Sequence, residues 1–440
     1  MPNAAGLEAA NQVVAAILNA ALWCRHPAVL VNSPPGAGKT ATVERVAGVG
    51  LGEFDMRLMI TVQTNNQAFD LLFRLGTGFP ALEFWFCHRQ GLVIPDRVLA
   101  LPNVHRTDDA HALPTGPMAV IGTAAKWAEV DDVHFELMVI DEAYQLREAL
   151  FLQFSGLADR YLFIGDPGQL DPFTTAEIER WRSDPAGPHR SCVAAFIARR
   201  GQPTTFAFPV SHRLTEPSVA LVQPAFYRTL PFEAVHLSGE RELVLPVGGI
   251  SPVDRAVNGL ATGAWSYLEL PCAHTGMVDE EVADAVAAAV HALLDRRAQV
   301  HDEDGERPLI PAGIAVGCAH VAQTTAVASR LRGPAEAVTV DTANRLQGLE
   351  FDVTIMYHPL AGRIDATVFH LDSGRSCVLA SRHRLGCLVV GRAGTGEMLE
   401  RHGPTTERVL GIDEDPEHDG WEAQIAFLEG LDRLALKVRA

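Results

Sequence analysis

The sequence predicts an α/β fold with two lobes, each built on a parallel sheet covered by helices. Three observations predict it. Short apolar runs bordered by Gly and Pro alternate with helical stretches, the runs of the first half end at polar or Gly-rich turns, and the alternation is repeated in the second half. With 440 residues, of which 48% are apolar, the chain can bury the cores of about two or three domains.

The predicted strands form two groups, one in each half of the chain. In the first half they span residues 28–31, 58–62, 118–121, 137–140 and 161–164. In the second half they span residues 266–270, 314–318, 337–340, 353–356 and 388–390. Because an open α/β sheet binds its ligands beyond the carboxyl ends of its strands, we expect the functional residues in the turns that follow these runs.

A boundary near residue 205, marked by the sequence Gly-Gln-Pro, divides the chain into a first lobe, residues 1–205, and a second lobe, residues 206–440. Within the first lobe, residues 73–113 resemble a small loop-rich insertion. Within the second, residues 279–297 carry apolar residues at helical spacing, which predicts a helix packed on the core. Residues 392–440 predict an acidic loop followed by a terminal helix.

The composition excludes several classes of protein. No uninterrupted run of about eighteen apolar residues is present, so we expect no membrane span and no signal peptide. Seven scattered cysteines favour reduced thiols in the cytoplasm over a disulfide framework. Cys272 with His274 and Cys318 with His320 resemble zinc half-sites, but neither has a second pair at finger-like spacing. Buried thiols beside incidental histidines are the favoured interpretation.

The net charge of −18 excludes a protein coated in basic surface and is the main observation against nucleic-acid binding. Much of the acid lies in three runs, at residues 279–281, 302–304 and 413–415. We interpret these runs as solvated charge on loops and helix ends. A basic groove can coexist with them.

Residues 33–40, Ser-Pro-Pro-Gly-Ala-Gly-Lys-Thr, follow the first predicted strand and have the pattern of a loop that wraps backbone N–H groups around a polyphosphate. Lys39 would neutralise the β- and γ-phosphates, Thr40 would hold Mg²⁺, and the helix beginning there would direct its positive end at the anion. Ser33 stands where the usual pattern has its first glycine. A Gly-rich turn that only changes direction is the alternative. The residues expected to bind the nucleotide are Pro35, Gly36, Ala37, Gly38, Lys39, Thr40 and Ala41.

Asp141 and Glu142 follow the apolar strand predicted at residues 137–140. Two carboxylates delivered by a buried strand need a cation nearby. Asp141 would bind Mg²⁺ through its water shell, and Glu142 would accept a proton from the attacking water. An acidic helix cap is the alternative, and it is disfavoured beside a phosphate loop.

Residues 165–172, Gly-Asp-Pro-Gly-Gln-Leu-Asp-Pro, follow the next predicted strand. Their Gly and Pro content predicts a turn. A turn alone does not require Gln169, whose amide both donates and accepts hydrogen bonds. This side chain is suited to sensing a γ-phosphate or its attacking water.

The order of these motifs resembles superfamily 1 helicases, particularly the Upf-like branch (superfamily 1B) with Asp-Glu-Ala-x-Gln and Gly-Asp-x-x-Gln-Leu signatures. Residues 141–145, Asp-Glu-Ala-Tyr-Gln, match the first signature. The resemblance implies two RecA-like lobes that form a P-loop NTPase helicase core, with ATP and Mg²⁺ bound in the cleft. It also implies that Gln12, which we expect near the start of a helix, hydrogen-bonds the adenine.

The resemblance extends through the second half. At residues 210–214 it implies that Arg213 approaches the γ-phosphate and that His212 replaces an aromatic residue that stacks on adenine. In the long match at residues 339–353, Gly348 would lie near the phosphates and Glu350 would contact the ribose. Residues 378–384 place Arg382 as an arginine finger supplied in cis by the second lobe. A solvated basic helix start is the alternative for Arg382 and Arg384.

The resemblance also implies a nucleic-acid strand that lies across both lobes. Hydroxyl, amide and ammonium groups suit phosphate and sugar contacts, which carry little sequence information. Trp127 and the aromatic run 84–86 could stack bases, although such aromatics more often belong to the core. The residues expected to contact the strand are Thr64, Asn65, Thr123, Lys126 and Thr342.

The motifs together predict an ATP-dependent motor that moves along single-stranded DNA or RNA, and the resemblance implies 5′ to 3′ movement. The sequence leaves DNA and RNA both open. An ATP-driven switch that binds a protein partner is the alternative, and the acidic charge favours it slightly. A small-molecule kinase would leave residues 341–352 and 378–384 without a role.

Overall fold

The computed structural model describes residues 2–170, 172, 181, 184–246, 248–401, 403 and 416–440. Its backbone packs into two compact units. The first unit comprises Glu8–Pro167 and Asp171–Phe208, and the second comprises Met1–Leu7, Gly168–Leu170 and Pro209–Ala440. Each unit contains a large parallel sheet, which confirms the predicted α/β class with two RecA-like lobes.

The first unit is built on an eight-stranded parallel sheet with the order β4-β3-β5-β2-β6-β7-β1-β8. Its inner strands are apolar on both faces because helices cover the sheet on both sides. Its strands are β1 (Ala28–Asn32), β2 (Arg57–Val62), β3 (Phe84–Cys87), β4 (Val104–Thr107), β5 (Met118–Thr123), β6 (Leu137–Ile140), β7 (Tyr161–Gly165) and β8 (Thr204–Ala207). The helices of this part of the chain are α1 (Ala4–Leu18), α2 (Lys39–Gly52), α3 (Asn65–Gly78), α4 (Asp96–Leu99), α5 (Ala124–Trp127), α6 (Glu148–Phe154) and α7 (Cys192–Arg200).

Residues 73–113 do not form the loop-rich insertion that we expected. They contribute β3 and β4, which extend the sheet beyond β5 in parallel register. Phe84 and Phe86 point into the core and Trp85 to the opposite face, as the alternation of a strand requires. β4, Val-His-Arg-Thr, has no apolar run to mark it, whereas β3, Phe-Trp-Phe-Cys, is an apolar run that we assigned to the insertion.

The second unit contains a six-stranded parallel sheet with the order β16-β15-β17-β18-β12-β19, a parallel pair β9-β10 and a small antiparallel sheet β11-β13-β14. Its strands are β9 (Val210–Thr215), β10 (Glu233–His236), β11 (Glu242–Val244), β12 (Trp265–Leu270), β13 (Gln299–Asp302), β14 (Gly305–Pro308), β15 (Ile314–Cys318), β16 (Thr339–Thr342), β17 (Phe351–Tyr357), β18 (His383–Arg392) and β19 (Leu436–Arg439). Its helices are α8 (Glu216–Phe226), α9 (Pro252–Gly259), α10 (Glu280–Asp295), α11 (Val321–Ala328), α12 (Ala343–Leu346), α13 (Val368–Leu371), α14 (Ser373–Ala380), α15 (Thr395–Arg401) and α16 (Pro416–Leu434).

The helix predicted at residues 279–297 is α10, and its apolar face is buried. Asp279 caps this helix and accepts a hydrogen bond from the N–H of Val282. The expectation that Asp279 is solvated was wrong, because its carboxylate is buried against the guanidinium of Arg392. A buried acid of this kind is retained only with a charged partner.

The carboxyl-terminal region differs from the predicted loop and helix. Helix α16 is present, but it is followed by β19, which pairs in parallel with β12 at the edge of the sheet. The acidic run at residues 413–415 lies outside the described residues.

Within the described residues, the helical stretch Ala4–Trp23 is the one helix long and apolar enough to cross a membrane by length and composition. Its most apolar window of eighteen residues reaches a mean hydropathy of 1.2, although polar residues such as Asn19 interrupt the apolar run. One third of its most apolar window is buried inside the protein, and core helices of other globular proteins share these properties.

Candidate functional site

The predicted phosphate loop, residues 33–40, joins β1 to α2 in the first unit. Gly36 and Gly38 have φ angles of 69° and 92°, in the left-handed region that glycine adopts without strain. Gly38 is the N-cap of α2, so the first helical residue is Lys39. The unpaired N–H groups of the first turn of a helix form a site for an anion. Pro35 and Ala37 are buried, whereas Thr40 is half-buried in that first turn and Ala41 is exposed.

Ser33 is fully buried at the start of this loop, and its N–H donates to the carbonyl of Gly165 at 2.9 Å. Its φ angle is not positive, so the backbone does not require glycine at this position. The hydroxyl donates to the Pro34 carbonyl at 3.4 Å, a long hydrogen bond. The departure from the usual pattern therefore leaves the turn intact.

Asp141 and Glu142 follow β6 and are both buried. The N–H of Asp141 donates to the Thr61 carbonyl on the neighbouring strand, and the N–H of Glu142 donates to Oδ1 of Asp141, both at 2.9 Å. Glu142 has a left-handed backbone, with φ 52° and ψ 46°. A side chain in this region costs about 1–2 kcal/mol, and strain of this kind is concentrated at functional sites.

Lys39 and Glu142 meet in the first unit, where Nζ of Lys39 lies 3.6 Å from Oε1 of Glu142. Burial, and next the charge of Glu142, raise the pKa of Asp141 above its usual range, while Lys39 acts in the opposite direction. A divalent cation would favour the ionised form of Asp141. The carboxylates of Asp141 and Glu142 fit Mg²⁺ as ligands, because two adjacent buried carboxylates carry negative charge that a cation would neutralise.

Sequence reasoning missed three side chains around this site. Tyr144 donates its hydroxyl hydrogen to Oδ1 of Asn32, the last residue of β1, at 2.7 Å. Gln63, after β2, donates to the carbonyl of Asp141 at 3.4 Å. Polar residues directly after two apolar strands were the available signal. Tyr144 occupies the variable position of Asp-Glu-Ala-x-Gln, where the motif offers no signal.

Gln12 lies in the middle of α1 and is exposed. The expectation that a helix opens at this residue was wrong, because the helix begins at Ala4. Asn3 caps the helix, because its Oδ1 accepts a hydrogen bond from the N–H of Gly6 at 2.9 Å, and the alanine-rich sequence that follows has high helix propensity. Contact with an adenine stays a prediction for this residue.

The predicted strand-contacting residues of the first unit follow β2 and β5, which are neighbours in the sheet. Thr64 caps α3, and its Oγ1 accepts from the N–H of Gln67; Thr123 caps α5 and accepts from the N–H of Lys126. Asn65 is exposed beside Thr64. Because all strands of this sheet are parallel, these residues share its carboxyl edge with the phosphate loop.

The aromatic residues proposed as alternatives for base stacking are mostly core residues. Trp127, Phe84 and Phe86 are fully buried, and Trp127 packs edge-on against Phe135 with ring centroids 5.7 Å apart. The hypothesis that these three side chains stack on bases is therefore wrong. Trp85 is half-buried and lies against His105.

Arg213 and His212 lie on β9 of the second unit. Arg213 donates to Oε2 of Glu350 at 2.7 Å and to the carbonyl of Ser381 at 3.3 Å, while His212 is exposed. Burial raises the pKa of Glu350, but Arg213 and then Arg384 outweigh this effect and hold it below its usual range. The structure thus pairs Arg213 with Glu350, although the resemblance implies that the arginine contacts the γ-phosphate and the glutamate the ribose. Gly348, two positions before Glu350, has a φ angle of 80°.

In the acidic turn, residues 302–304 between β13 and β14, Asp302 is not solvated as we expected, whereas Glu303 and Asp304 are exposed. The side chain of Asp302 is fully buried, and Glu303 forms an ion pair with Arg241. The hairpin folds the turn back onto arginines that are distant in sequence. The hydrogen bond from Arg241 is the largest effect on Glu303 and lowers its pKa to about 2. Arg384 completes the cluster, with ion pairs to Asp302 at 3.2 Å, Glu303 at 3.1 Å, Glu350 at 3.5 Å and Asp352 at 3.5 Å.

Arg382 is one of the largest fully buried side chains and lies between the end of α14 and the start of β18. It donates to Oγ of Ser381 at 3.1 Å. The alternative of a solvated basic helix start is wrong, since the residue is neither solvated nor at a helix start. Burial of a guanidinium is costly and is rarely retained without a role.

Thr342 and Gln169 complete the predicted set in the second unit. Thr342 is the half-buried N-cap of α12, and its N–H donates to Oδ1 of Asp341 at 2.8 Å. Oε1 of Gln169 accepts a hydrogen bond from Nε2 of Gln347 at 3.1 Å. Asp171, also part of this motif, lies outside the described residues.

No protein-family model matches this sequence, and no curated protein sequence matches it. Solved structures of viral helicases are similar to it. The complex of arterivirus nonstructural protein 10 (helicase) with DNA shares 14% identity, with 87% of this chain and 63% of that chain covered and a TM-score of 0.43. The PRRSV helicase shares 14% identity, with 91% of this chain and 58% of that chain covered and a TM-score of 0.42. The chain thus spans less than two thirds of the length of either helicase structure.

Proposed function

We propose that this chain is an ATPase of the superfamily 1 helicase type that moves along single-stranded nucleic acid. The observation that carries the proposal is the meeting of Lys39 and Glu142, at 3.6 Å, beside a glycine-shaped turn at a helix N-terminus. A loop that only changes direction has no need of a half-buried lysine opposite two buried carboxylates. A nucleoside triphosphate with its cation supplies the charges that this arrangement lacks.

The residues of the first unit divide the proposed chemistry among them. The N–H groups of the loop and the ammonium of Lys39 would bind the β- and γ-phosphates. Thr40 and Asp141 would hold Mg²⁺, which when bound offsets the charge of those phosphates. Glu142 would accept a proton from the water that attacks the γ-phosphorus, and ADP and phosphate would leave. Lys39 holds the Glu142 carboxylate near the phosphate-binding turn until the nucleotide arrives.

Gln169, Arg213 and Arg382 remain proposed participants in hydrolysis. Burial of the Arg382 guanidinium supports a functional role for that residue. For Arg213, the Glu350 carboxylate holds the guanidinium before nucleotide binds. A fixed guanidinium of this kind can stabilise the charge that develops during phosphoryl transfer.

The proposed nucleic-acid contacts are Thr64, Asn65, Thr123 and Lys126 in the first unit and Thr342 in the second. The hydroxyls of Thr64 and Thr123 cap helices, so these turns would offer mainly backbone groups and the Lys126 ammonium to a phosphate backbone. Movement from 5′ to 3′ follows from the Asp-Glu-Ala-x-Gln resemblance. A strand tethered at either end to streptavidin distinguishes the two directions.

We place the protein in the cytoplasm as part of this proposal. All seven cysteines are free thiols, and five of them are buried, which supports a reducing compartment. Fractionation of cells that express a tagged full-length chain tests the placement.

A panel of ATPase assays tests the proposed function. We expect hydrolysis that single-stranded DNA or RNA stimulates, that weakens steeply with salt and that stops on chelation of Mg²⁺. Lys39→Ala would abolish turnover with or without polynucleotide. Hydrolysis that no polynucleotide alters would contradict the motor and would favour an ATP-driven switch that binds a protein partner, the candidate that the net charge of −18 supports.

A further inference from the structure

The three residues Gly168–Leu170 follow strand β7 of the first unit but pack in the second unit. Leu170 is buried in a cluster that includes Leu214, Leu346 and Cys377. Gly168 lies against the ring of Tyr227, where an added Cβ would come within 2.4 Å of a ring carbon. The turn that carries Gln169 is therefore held on both sides by the second unit.

The backbone of Gln169 rests directly on α14. Gly374 is the second residue of that helix, and a Cβ added there would lie 2.6 Å from the carbonyl oxygen of Gln169 and 2.7 Å from the nitrogen of Leu170. A Cβ essentially never comes within 3.0 Å of a non-bonded backbone atom, and backbone cannot move aside as a flexible side chain can. Only glycine at position 374 permits this contact.

The side chain of Gln169 is oriented by Gln347. Nε2 of Gln347 donates to Oε1 of Gln169 at 3.1 Å, so the amide of Gln169 directs its oxygen towards Gln347. Its NH₂ group then lies on the opposite side of the amide. The oxygen atoms of a phosphate accept hydrogen bonds, and an NH₂ group can donate to them.

We propose that Gln347 and Gly374 are positioning residues that fix the place and the polarity of the Gln169 amide for hydrolysis. The inference rests on the proposed ATPase function and deepens it. Gln347 belongs to the motif at residues 339–353, and Gly374 to the helix that leads to Arg382. Neither residue carries out chemistry; both act through Gln169.

Variants of Gln347 test the side-chain contact. We expect Gln347→Ala to lower kcat about tenfold with little change in the KM for ATP, because misplacement of a positioned group affects the transition state more than the bound ground state. Gln347→Glu keeps the size of the side chain, but a carboxylate can only accept a hydrogen bond. The Gln169 amide must then rotate so that its NH₂ group, and not its oxygen, faces residue 347. This variant would retain the stability of the fold and still lose kcat, which a merely structural role would not produce.

Variants of two glycines test the backbone contact. Gly374→Ala places a methyl group against Gln169 and would lower kcat about tenfold or more. Gly396→Ala is the matched control, because Gly396 is also the second residue of its helix and has no atom within 4 Å of an added Cβ. The control would keep the kcat of the unmodified chain.

A double-variant comparison separates the possible results. If the contact operates as proposed, adding Gln347→Ala to Gln169→Ala has no further effect on kcat. The inference would be overturned if kcat of the double variant fell by the product of the two single-variant losses. It would also be overturned if both Gln347 variants had the kcat of the unmodified chain. An unmodified chain that does not hydrolyse ATP would instead overturn the proposed function. In that case, the free energies of unfolding in urea of the two single variants and the double variant would still show whether the hydrogen bond between Gln169 and Gln347 forms.

Discussion

Nε of Arg213 donates to Oε2 of Glu350 at 2.7 Å, and this ion pair joins β9 to the segment that precedes β17. The resemblance assigns the arginine to a γ-phosphate and the glutamate to a ribose. Before nucleotide binds, each satisfies the charge of the other. A nucleotide that binds Arg213 or Glu350 would therefore have to break the existing ion pair between them.

Glu142→Gln separates nucleotide binding from hydrolysis. The variant removes the negative charge 3.6 Å from Lys39, so the ammonium is released to the phosphates. We expect tighter binding of a fluorescent ATP analogue and a kcat lowered by about 10²–10⁴-fold through loss of the general base. Turnover near that of the unmodified chain would show that another group accepts the proton.

Affinity for Mg²⁺ should fall as the pH is lowered. The pKa of Asp141 is raised by burial and by Glu142, so the metal-free protein binds a proton at this carboxylate more readily than an exposed aspartate does. Mg²⁺ must displace that proton, and calorimetry in buffers of different ionisation enthalpy would detect its release. Asp141→Asn should abolish tight Mg²⁺ binding. It should also raise the Tm of the metal-free protein, because the cost of an ionised buried carboxylate is removed.

Arg384→Ala should destabilise the second unit by about 2–4 kcal/mol, because buried Asp302 and Asp352 lose one of their counter-charges. Arg307 keeps its contacts with both carboxylates and limits the loss. Arg345→Ala is the control, since its side chain is 76% exposed and its ion pair is 3.7 Å long. The control should change the free energy of unfolding in urea by less than about 0.5 kcal/mol. Equal effects of the two variants would contradict the cluster's contribution.

Acid should destabilise the second unit below about pH 6.5. Burial lowers the pKa of His358 to about 4, and burial with the charges of Arg213 and Arg382 lowers that of His383 to about 3. Below the ordinary pKa of 6.5 the unfolded chain takes up protons that the folded chain refuses. Stability is therefore fully present above pH 6.5 and is lost progressively as the pH falls towards 3–4.

Each such histidine costs up to about 1.4 kcal/mol per pH unit in that window. Urea unfolding at pH 7, 6 and 5 measures the slope. His383→Gln should reduce it, and an unchanged slope would show that His383 is not the group responsible.

The central strands were predicted well because burial alone determines them. β6 and β15 have the predicted bounds, and both are apolar runs covered on two faces. The strand expected at residues 337–340 begins at Thr339 instead, since a 3₁₀ turn occupies Gly333–Ala337. The short strands β4, β8 and β19 were missed because pairing with a neighbour, and not their own composition, makes them strands. The aromatic composition of β3 favours a strand, but we had assigned this run to an insertion.

The site was predictable where its chemistry is local. The glycines of the phosphate loop and the carboxylates after β6 are visible as short patterns in the sequence. The contacts of Glu142, Glu350 and Gln169 join residues separated by a hundred positions or more, which no local pattern reveals. The burial of Asp302 depends in the same way on a hairpin that brings it to Arg384.

The assignment of Gly168–Leu170 to the second unit has a consequence for synthesis on the ribosome. The eight strands of the first unit all precede Pro209 in the chain, so they emerge before any strand of the second. The residues that seat Gln169 emerge only later, with Gln347 and Gly374 among the last of them. A growing chain would thus complete its phosphate loop before it has a positioned Gln169. It would be able to hold a nucleotide during translation before it is competent to hydrolyse one.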